Sequence, residues 1–173
     1  HLYLIISFIL LFKINVFAEI SVSAESAILI EMTSGKVIFK KNPDKRMKPA
    51  STTKILTAIC ALEMGNLNDI VTVSKKAATV QGSTLGLNTD MKISMQDLLY
   101  GLMLRSGNDC AVAIAEHISG SLENFANLMN QKAKDLNLFS TNFVTPHGLD
   151  DPNHFTTAYD LALLTDYALK NDK

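Results

Sequence analysis

A serine and a lysine three residues apart are the side chains of this chain that most clearly could do chemistry together. Ser51 and Lys54 follow Pro49-Ala50 and open an apolar run, residues 55–62. If that run is a helix, both side chains lie on one face, with Cβ atoms about 5–6 Å apart. A hydroxyl at the positive end of a helix, beside an amine that accepts its proton, is an activated nucleophile. The alternative is an ordinary helix start, because serine is a favoured N-cap and the spacing is common by chance.

A second polar group, Ser106-Gly107-Asn108, lies between two apolar periodic segments, residues 98–104 and 111–118. By itself it could be a plain turn between two helices, because all three residue types favour turns. A serine-lysine pair followed by Ser-x-Asn, and then by a Lys-Thr-Gly strand, is the signature of enzymes that react with penicillin. The chain carries two of these three elements in the right order. The pairing favours a catalytic role for both motifs.

At these motifs the chain resembles the D-alanyl-D-alanine carboxypeptidases, the low-molecular-mass penicillin-binding proteins of serine peptidase family S11. The resemblance covers nearly all of residues 25–170, and a match of that breadth is specific. The segments that carry it are Ala27 to Glu31, Gly35-Lys36-Val37, Pro49 to Lys54, Gly82 to Leu87, Asp97 to Leu102, Ser106 to Asp109 and Pro146-His147-Gly148-Leu149-Asp150.

The resemblance implies a mixed α/β (α+β) domain with the fold that penicillin-binding proteins share with serine β-lactamases, an antiparallel sheet flanked by helices. The residues themselves indicate a strand hairpin at 26–40 and a helix from Ser51 to Met64 that ends at Gly65. After Val73, only residues 141–144 resemble a further strand. Further helices are predicted to begin near Ser94, Asp109, Ser121 and Thr157.

The resemblance also implies a role for each residue of the two motifs. Ser51 would attack the carbonyl of the terminal D-Ala-D-Ala peptide bond, and water would then hydrolyse the acyl-enzyme. Lys54 would take the Ser51 proton, which requires a pKa well below the usual value of about 10.4 for a lysine. Ser106 would relay the proton to the leaving amine, and Asn108 would bind the amide backbone of the substrate. His147 is an alternative general base.

The partners implied are peptidoglycan stem pentapeptides ending in D-Ala-D-Ala and, as covalent inhibitors, β-lactams. The protein would act in cell-wall biosynthesis and remodelling. The resemblance implies no cofactor, and no Cys/His spacing resembles a metal site. A net charge of −1 gives no electrostatic sign of nucleic-acid binding.

Residues 1–18 are predicted to be a signal peptide. Residues 2–12 are almost wholly apolar, which is the length of a signal core and short for a membrane span. Small residues at Val16 and Ala18 suit a cleavage site, and an uncleaved anchor is the alternative. Because the chain begins with His1, its N-terminus is expected to be incomplete. Export would place the protein in the periplasm or on the outer face of the cytoplasmic membrane.

The third motif of the signature, Lys-Thr-Gly or Lys-Ser-Gly, does not occur in residues 1–173. In the family, that lysine and its neighbours bind the terminal carboxylate of the substrate. Residues 19–173 are therefore expected to be the N-terminal part of the catalytic domain, incomplete at the C-terminus and inactive by themselves. Any attachment to a membrane through a C-terminal anchor, which the family often carries, would lie beyond Lys173.

Two other functions are compatible with the motifs. A serine β-lactamase needs rapid deacylation, in one class by a glutamate, and residues 139–160 contain none. A non-catalytic peptidoglycan-binding relative is the other alternative, against which the retention of both motifs argues.

The two cysteines, Cys60 and Cys110, could pair in an exported protein. Both lie in apolar helical runs, which favours two buried thiols.

Overall fold

The computed structural model describes residues 20–171, in which antiparallel strands accompany a larger set of helices. The predicted signal peptide, residues 1–18, lies outside the described residues. The mixture confirms the predicted α/β (α+β) class. The strands are β1 (Ala27–Ile30), β2 (Val37–Lys41), β3 (Ile70–Thr72) and β4 (Lys92–Ser94). The helices are α1 (Lys54–Met64), α2 (Lys75–Ala78), α3 (Met95–Leu104), α4 (Asn108–Ser119), α5 (Leu122–Asp135) and α6 (Ala158–Leu169).

The N-terminal hairpin is formed as predicted. β1 pairs with β2 in antiparallel register, with Leu29 opposite Phe39 and an irregularity between Leu29 and Ile30. The connecting turn contains Gly35 at φ +69°, a conformation that favours glycine. The hairpin contacts α6, which comes from the far end of the described chain. A two-stranded hairpin is barely stable alone, so this packing anchors it to the helical layer.

The expectation that no strand follows Val73 except residues 141–144 was wrong. β4 pairs with β3, with Val71 opposite Ile93. Since β4 has only three residues, its apolar alternation is too short to be recognised in the sequence. Residues 141–144 form only a bridge between Asn142 and Phe155. The pairing stops there because the next backbone donor on that side, Val144 N, donates to the His154 ring at 3.1 Å instead of to the opposite strand.

Helix α1 forms the centre of the helical layer, where it contacts α3, α4, α5 and α6. Most of its residues are apolar, and those from Leu56 to Ala61 are all buried, which is typical of a helix surrounded by other elements. Leu56, Cys60 and Ala61 are completely buried. The first residue of the helix, Lys54, is drawn in with them and is only 3% exposed. The position of α1 therefore accounts for the burial of the lysine.

The start of this helix differs from the prediction. Ala50–Thr53 forms a 3-10 turn, and the α-helix begins at Lys54 instead of Ser51. Ala50, the first residue of the turn, has a φ of +48°, so the chain changes direction where the turn begins. In 3-10 geometry, side chains three residues apart lie directly above one another. The tighter winding therefore brings Ser51 over Lys54.

The predicted helix boundaries follow local capping. The hydroxyls of Ser94, Ser121 and Thr157 accept hydrogen bonds from backbone N–H groups three residues on, at 3.0 to 3.1 Å. Each such bond satisfies a donor that the first turn leaves free. Gly65 ends α1 as predicted, with an extended backbone. A Cβ there would lie 2.7 Å from the Ala61 carbonyl oxygen, so the position requires glycine. Helix α2 was not predicted, since four residues give no readable period.

Both cysteines are free and buried, which confirms the interpretation of two buried thiols. Burial raises the pKa of Cys60 and of Cys110 to about 12, so both stay protonated at neutral pH.

Across the described residues, every helix is too short or too polar to cross a membrane. Those residues also contain no group of three or more His, Cys, Asp or Glu side chains arranged to hold a metal ion.

Candidate active site

The structure brings together all four residues that the sequence singled out for chemistry. Lys54 Nζ lies 3.2 Å from Ser51 Oγ and donates to Asn108 Oδ1 at 2.8 Å. Ser106 Oγ lies 2.9 Å from Ser51 Oγ on the other side. Ser51 is exposed, whereas Lys54 and Asn108 are buried. The accessible hydroxyl of Ser51 thus has an amine, Lys54, and a second hydroxyl, Ser106, within hydrogen-bond distance.

The Ser106-Gly107-Asn108 motif is the turn between α3 and α4. Ser106 has a φ of +54°, and Gly107 N donates to Gly101 O at 3.1 Å. Asn108 N donates to Ser83 O at 2.7 Å as α4 begins. The motif is therefore an interhelical turn, as one of the two predictions had it, and its side chains lie beside Ser51 and Lys54. The left-handed backbone at Ser106 directs its hydroxyl towards Ser51.

The surroundings of Lys54 favour a neutral amine. Burial lowers the pKa of Lys54 to about 8. Within the described chain, no carboxylate forms an ion pair with it; its acceptors are neutral oxygens. At pH 7, an amine with this pKa is deprotonated in roughly a tenth of the molecules. A lysine in this state accepts the proton of a neighbouring hydroxyl.

His147 contributes its backbone carbonyl, a group that every residue type has and that no sequence pattern reveals. Its carbonyl oxygen accepts from Lys54 Nζ at 2.9 Å. Its ring Nδ1 accepts from Leu149 N at 3.1 Å. Burial, followed by the charges of Lys54 and His154, lowers the pKa of the ring to about 4. The ring is therefore neutral at pH 7, with one nitrogen already occupied.

His154 supports the turn that carries Ser51. Its Nδ1 accepts from Val144 N at 3.1 Å and from Thr145 N at 3.3 Å, so the ring proton lies on Nε2. Nε2 then donates to Thr53 Oγ1 at 2.9 Å. Burial lowers the pKa of His154, which keeps this tautomer neutral. His154 thus joins residues 144–145 to the turn that carries Ser51.

Gly148 lies against the carbonyl group of the Ser51 turn. It has a φ of +85°, and a Cβ there would lie 1.8 Å from Ala50 O and 2.8 Å from Thr53 Oγ1. Backbone atoms cannot make way as a flexible side chain can. A residue without a side chain is therefore required where this loop meets the nucleophile turn.

We expect Gly148→Ala to destabilise the protein by about 2–5 kcal/mol, by combining overpacking with a backbone conformation unfavourable for L residues. The matched control is Gly35→Ala, which has a similar φ of +69° but nothing within 4 Å of the added Cβ. The control should lose only about 1–2 kcal/mol. Urea denaturation of both variants measures the difference. Equal losses would show that the contact with Ala50 is not rigid.

Two clefts flank Ser51 and give it access to an extended ligand. One, of about 320 Å³, is lined by Ile55, Leu102, Met103 and Ser106. The other, of about 330 Å³, is lined by residues 82–83 and 147–150 together with Asn108. A ligand that crosses Ser51 would place one part in each cleft. The site therefore suits attack on a carbonyl group within a chain-like molecule.

A sequence model of one protein family, described as D-alanyl-D-alanine carboxypeptidase, matches residues 14–173. The chain belongs to the D-alanyl-D-alanine carboxypeptidase family, peptidase S11. The resemblance seen in the motifs is thereby confirmed. Carboxypeptidase DacF of Bacillus subtilis is 42% identical over 158 residues, which are 88% of this chain and 41% of that protein. Carboxypeptidase DacC of Escherichia coli is 43% identical over 155 residues, which are 83% of this chain and 39% of that protein.

Solved structures of this carboxypeptidase family and its neighbours share the fold. Penicillin-binding protein 5 from Haemophilus influenzae superposes with a TM-score of 0.84 at 34% identity, over 89% of this chain and 47% of that one. A mutant of the Streptomyces K15 DD-transpeptidase gives 0.85 at 30% identity, over 89% and 64%. These matches confirm the predicted penicillin-binding-protein fold. The chain spans about two-fifths of the length of the curated carboxypeptidases that it matches.

Proposed function

We propose that this protein is a serine-type D-Ala-D-Ala carboxypeptidase, a hydrolase that removes the terminal D-alanine from peptidoglycan stem pentapeptides. The observation that carries the proposal is the contact of an exposed hydroxyl, Ser51, with the buried amine of Lys54. Ser106 and Asn108 complete the group on either side. Membership of the carboxypeptidase family supports the choice of substrate.

Acylation begins with transfer of the Ser51 proton to neutral Lys54. Ser51 Oγ then attacks the carbonyl carbon between the two D-alanines and forms a tetrahedral oxyanion. The backbone N–H of Ser51 is one expected donor to that oxyanion. Collapse breaks the peptide bond, and the leaving amine receives a proton from Ser106 Oγ, which recovers one from Lys54. The products are an ester on Ser51 and free D-alanine.

Deacylation uses the same groups in the reverse direction. A water molecule takes the place of the departed amine and gives its proton to Lys54 through Ser106. The hydroxide attacks the ester carbonyl, Ser51 Oγ leaves, and the serine regains its proton. A β-lactam would follow the first step only, because its leaving amine stays tethered beside the ester. We therefore propose β-lactams as covalent inhibitors.

Asn108 holds Lys54 and has a donor left for substrate. Its Oδ1 accepts from Lys54, and its Nδ2 donates to Gln81 O at 2.7 Å. An amide nitrogen carries two N–H groups, so the second remains for a substrate carbonyl. His147 acts in this scheme through its backbone carbonyl on Lys54. The base assigned to Ser51 is the lysine.

Peptidoglycan lies outside the cytoplasmic membrane, so the proposed substrate requires export. The apolar residues 2–12 and the small residues at Val16 and Ala18 support residues 1–18 as the export signal. Residues 19–173 would then belong to the catalytic domain, in the periplasm or on the outer face of the membrane.

The test is to incubate the protein, expressed from its natural gene, with a peptide ending in D-Ala-D-Ala and separately with labelled penicillin. We expect one D-alanine released per peptide, and a penicillin adduct on Ser51 that persists for minutes or longer. Mass spectrometry of the digested adduct locates the label. Turnover of the adduct within seconds would indicate a β-lactamase. Absence of both reactions would favour a non-catalytic peptidoglycan-binding protein, and transfer of the acyl group to added D-amino acids would favour a transpeptidase.

A further inference from the structure

Asp109, the residue after Asn108, is a buried carboxylate that the proposed mechanism does not use. It lies in the first turn of α4 and is only 1% exposed. Its two oxygens accept four backbone hydrogen bonds. The donors, at 2.9 to 3.0 Å, are the N–H groups of Cys110 and of three consecutive loop residues, Leu85, Gly86 and Leu87.

These hydrogen bonds keep the carboxylate charged in the interior. Burial alone raises the pKa of Asp109, but the four backbone donors outweigh it and hold that pKa below its usual range. Hydrogen bonds to an ionised acceptor are roughly twice as strong as neutral ones. Gly86 has a φ of +93° with nothing within 4 Å of an added Cβ, so glycine is needed there for its conformation. That conformation lets consecutive N–H groups converge on one carboxylate.

The first half of the same loop, residues 81–87, is bound to Asn108. Asn108 Nδ2 donates to Gln81 O and Asn108 N donates to Ser83 O, both at 2.7 Å. A Cβ at Gly82 would lie 2.6 Å from Asn108 Nδ2, so the loop backbone lies directly on the amide. Two neighbouring residues of one turn, Asn108 and Asp109, thus hold the two halves of the 81–87 loop.

The loop determines which way the Asn108 amide faces. The oxygen and nitrogen of an asparagine amide are nearly the same size, so their positions are set by their hydrogen-bond partners. With Nδ2 on the carbonyl of Gln81, Oδ1 faces Lys54 Nζ at 2.8 Å. If the loop moved away, the amide could rotate and present N–H groups to the amine. Lys54 would then lose one of the two acceptors, Asn108 Oδ1 and His147 O, that hold it beside Ser51.

We propose that Asp109 is a positioning residue for acylation: it fixes the 81–87 loop, and through the loop the Asn108 amide that holds Lys54. Asp109 itself touches neither the amine nor the serine hydroxyl. The inference rests on the proposed function, because acylation of Ser51 is what it controls. Beyond that function, the inference identifies Asp109 as the residue that keeps the site assembled before substrate binds.

The first test compares Asp109→Asn with Asp160→Asn. Asp160 is a matched control: a carboxylate that is 4% exposed, in the first turn of α6, and accepts from Ser140 N at 2.9 Å. Asp109→Asn places an NH₂ group against backbone N–H donors and so releases part of the loop. We expect the second-order rate constant for acylation by penicillin, per folded molecule, to fall about 10- to 100-fold, the range for small misplacements at a site. Asp160→Asn should lose thermal stability without changing this constant.

A second pair covers the case in which Asp109→Asn does not fold. Gly86→Ala strains the loop from its exposed side and leaves the buried carboxylate intact. Gly35→Ala is its control, with a positive φ and open space in a distant turn. We expect Gly86→Ala to slow acylation by about tenfold. Gly35→Ala should be acylated at the wild-type rate.

The outcomes separate the inference from the proposed function. If wild-type protein is labelled and both Asp109→Asn and Gly86→Ala react at the wild-type rate per folded molecule, the positioning role is wrong and the function stands. A loss that both controls share would show general destabilisation and would also overturn the positioning role. If wild-type protein is not labelled at all, the proposed function fails, and the inference fails with it.

Discussion

Ser51→Ala is expected to abolish the penicillin adduct and to lower D-alanine release by at least about 10³-fold, because it removes the nucleophile. The loss should not come from unfolding. The Ser51 side chain is exposed, and surface substitutions usually change the free energy of unfolding by less than about 0.5 kcal/mol. Mass spectrometry of the adduct and a D-alanine assay measure the two activities, and thermal denaturation monitors the fold.

The control for this variant is Thr79→Ala, which removes an exposed hydroxyl that donates to Lys75 O at 2.8 Å, outside both clefts. It should react like the wild type. Ser106→Ala is informative in a different way, since its hydroxyl contacts Ser51 without being the nucleophile. It should form the adduct more slowly and still carry it on Ser51. A stable adduct in Ser51→Ala would place the nucleophile on another residue.

The residue types of the site were predictable because the chemistry requires them. Ser51, Lys54, Ser106 and Asn108 carry the hydroxyl, amine and amide groups that acyl transfer needs, and their order along the chain matches a known signature. Their geometry was not predictable. One acceptor of Lys54 is the backbone carbonyl of His147, and any residue type has such a group.

Backbone conformation accounts for the other errors at the site. The sequence predicted a regular helix from Ser51, whereas Ala50 takes a positive φ and the turn winds as a 3-10 helix. Alanine carries no sequence signal for that conformation, and the loop that packs on the Ala50 carbonyl, at Gly148, lies almost a hundred residues further along the chain. Asp109 was missed for a similar reason. An acidic residue in the first turn of a helix is ordinarily explained by the helix dipole.

The same distinction applies to the fold: features set by local contacts were predictable, and features set by distant contacts were not. Helix starts at Ser94, Ser121 and Thr157 were predictable, because a capping hydroxyl and its N–H partner are three residues apart. Pairing of β4 with β3 depends on a partner twenty or so residues away, and no turn residue fixes that register. The sequence thus specifies the ends of helices better than the edges of small sheets.

Lys54→Met is expected to lower the acylation rate by about 10²- to 10⁴-fold, which is the usual contribution of a positioned base. Methionine has a similar length and suits the buried position, although Asn108 Oδ1 and His147 O lose their donor. That loss should destabilise the protein by about 1–3 kcal/mol. The control is Lys132→Met, which removes a partly buried lysine paired with Glu63 at 2.7 Å, far along α5. The control should also be less stable, yet be acylated at the normal rate.

The pH dependence of acylation identifies the base independently of any substitution. Neutral Lys54 is the reactive form, so the wild-type rate should rise tenfold per pH unit up to the pKa of about 8 and level off above it. Lys54→Met should show no such rise. The ring of His147, with a pKa of about 4, would give a profile that is already flat at pH 6. A midpoint near pH 8 therefore assigns the proton transfer to Lys54, whereas one near pH 4 would transfer that role to His147.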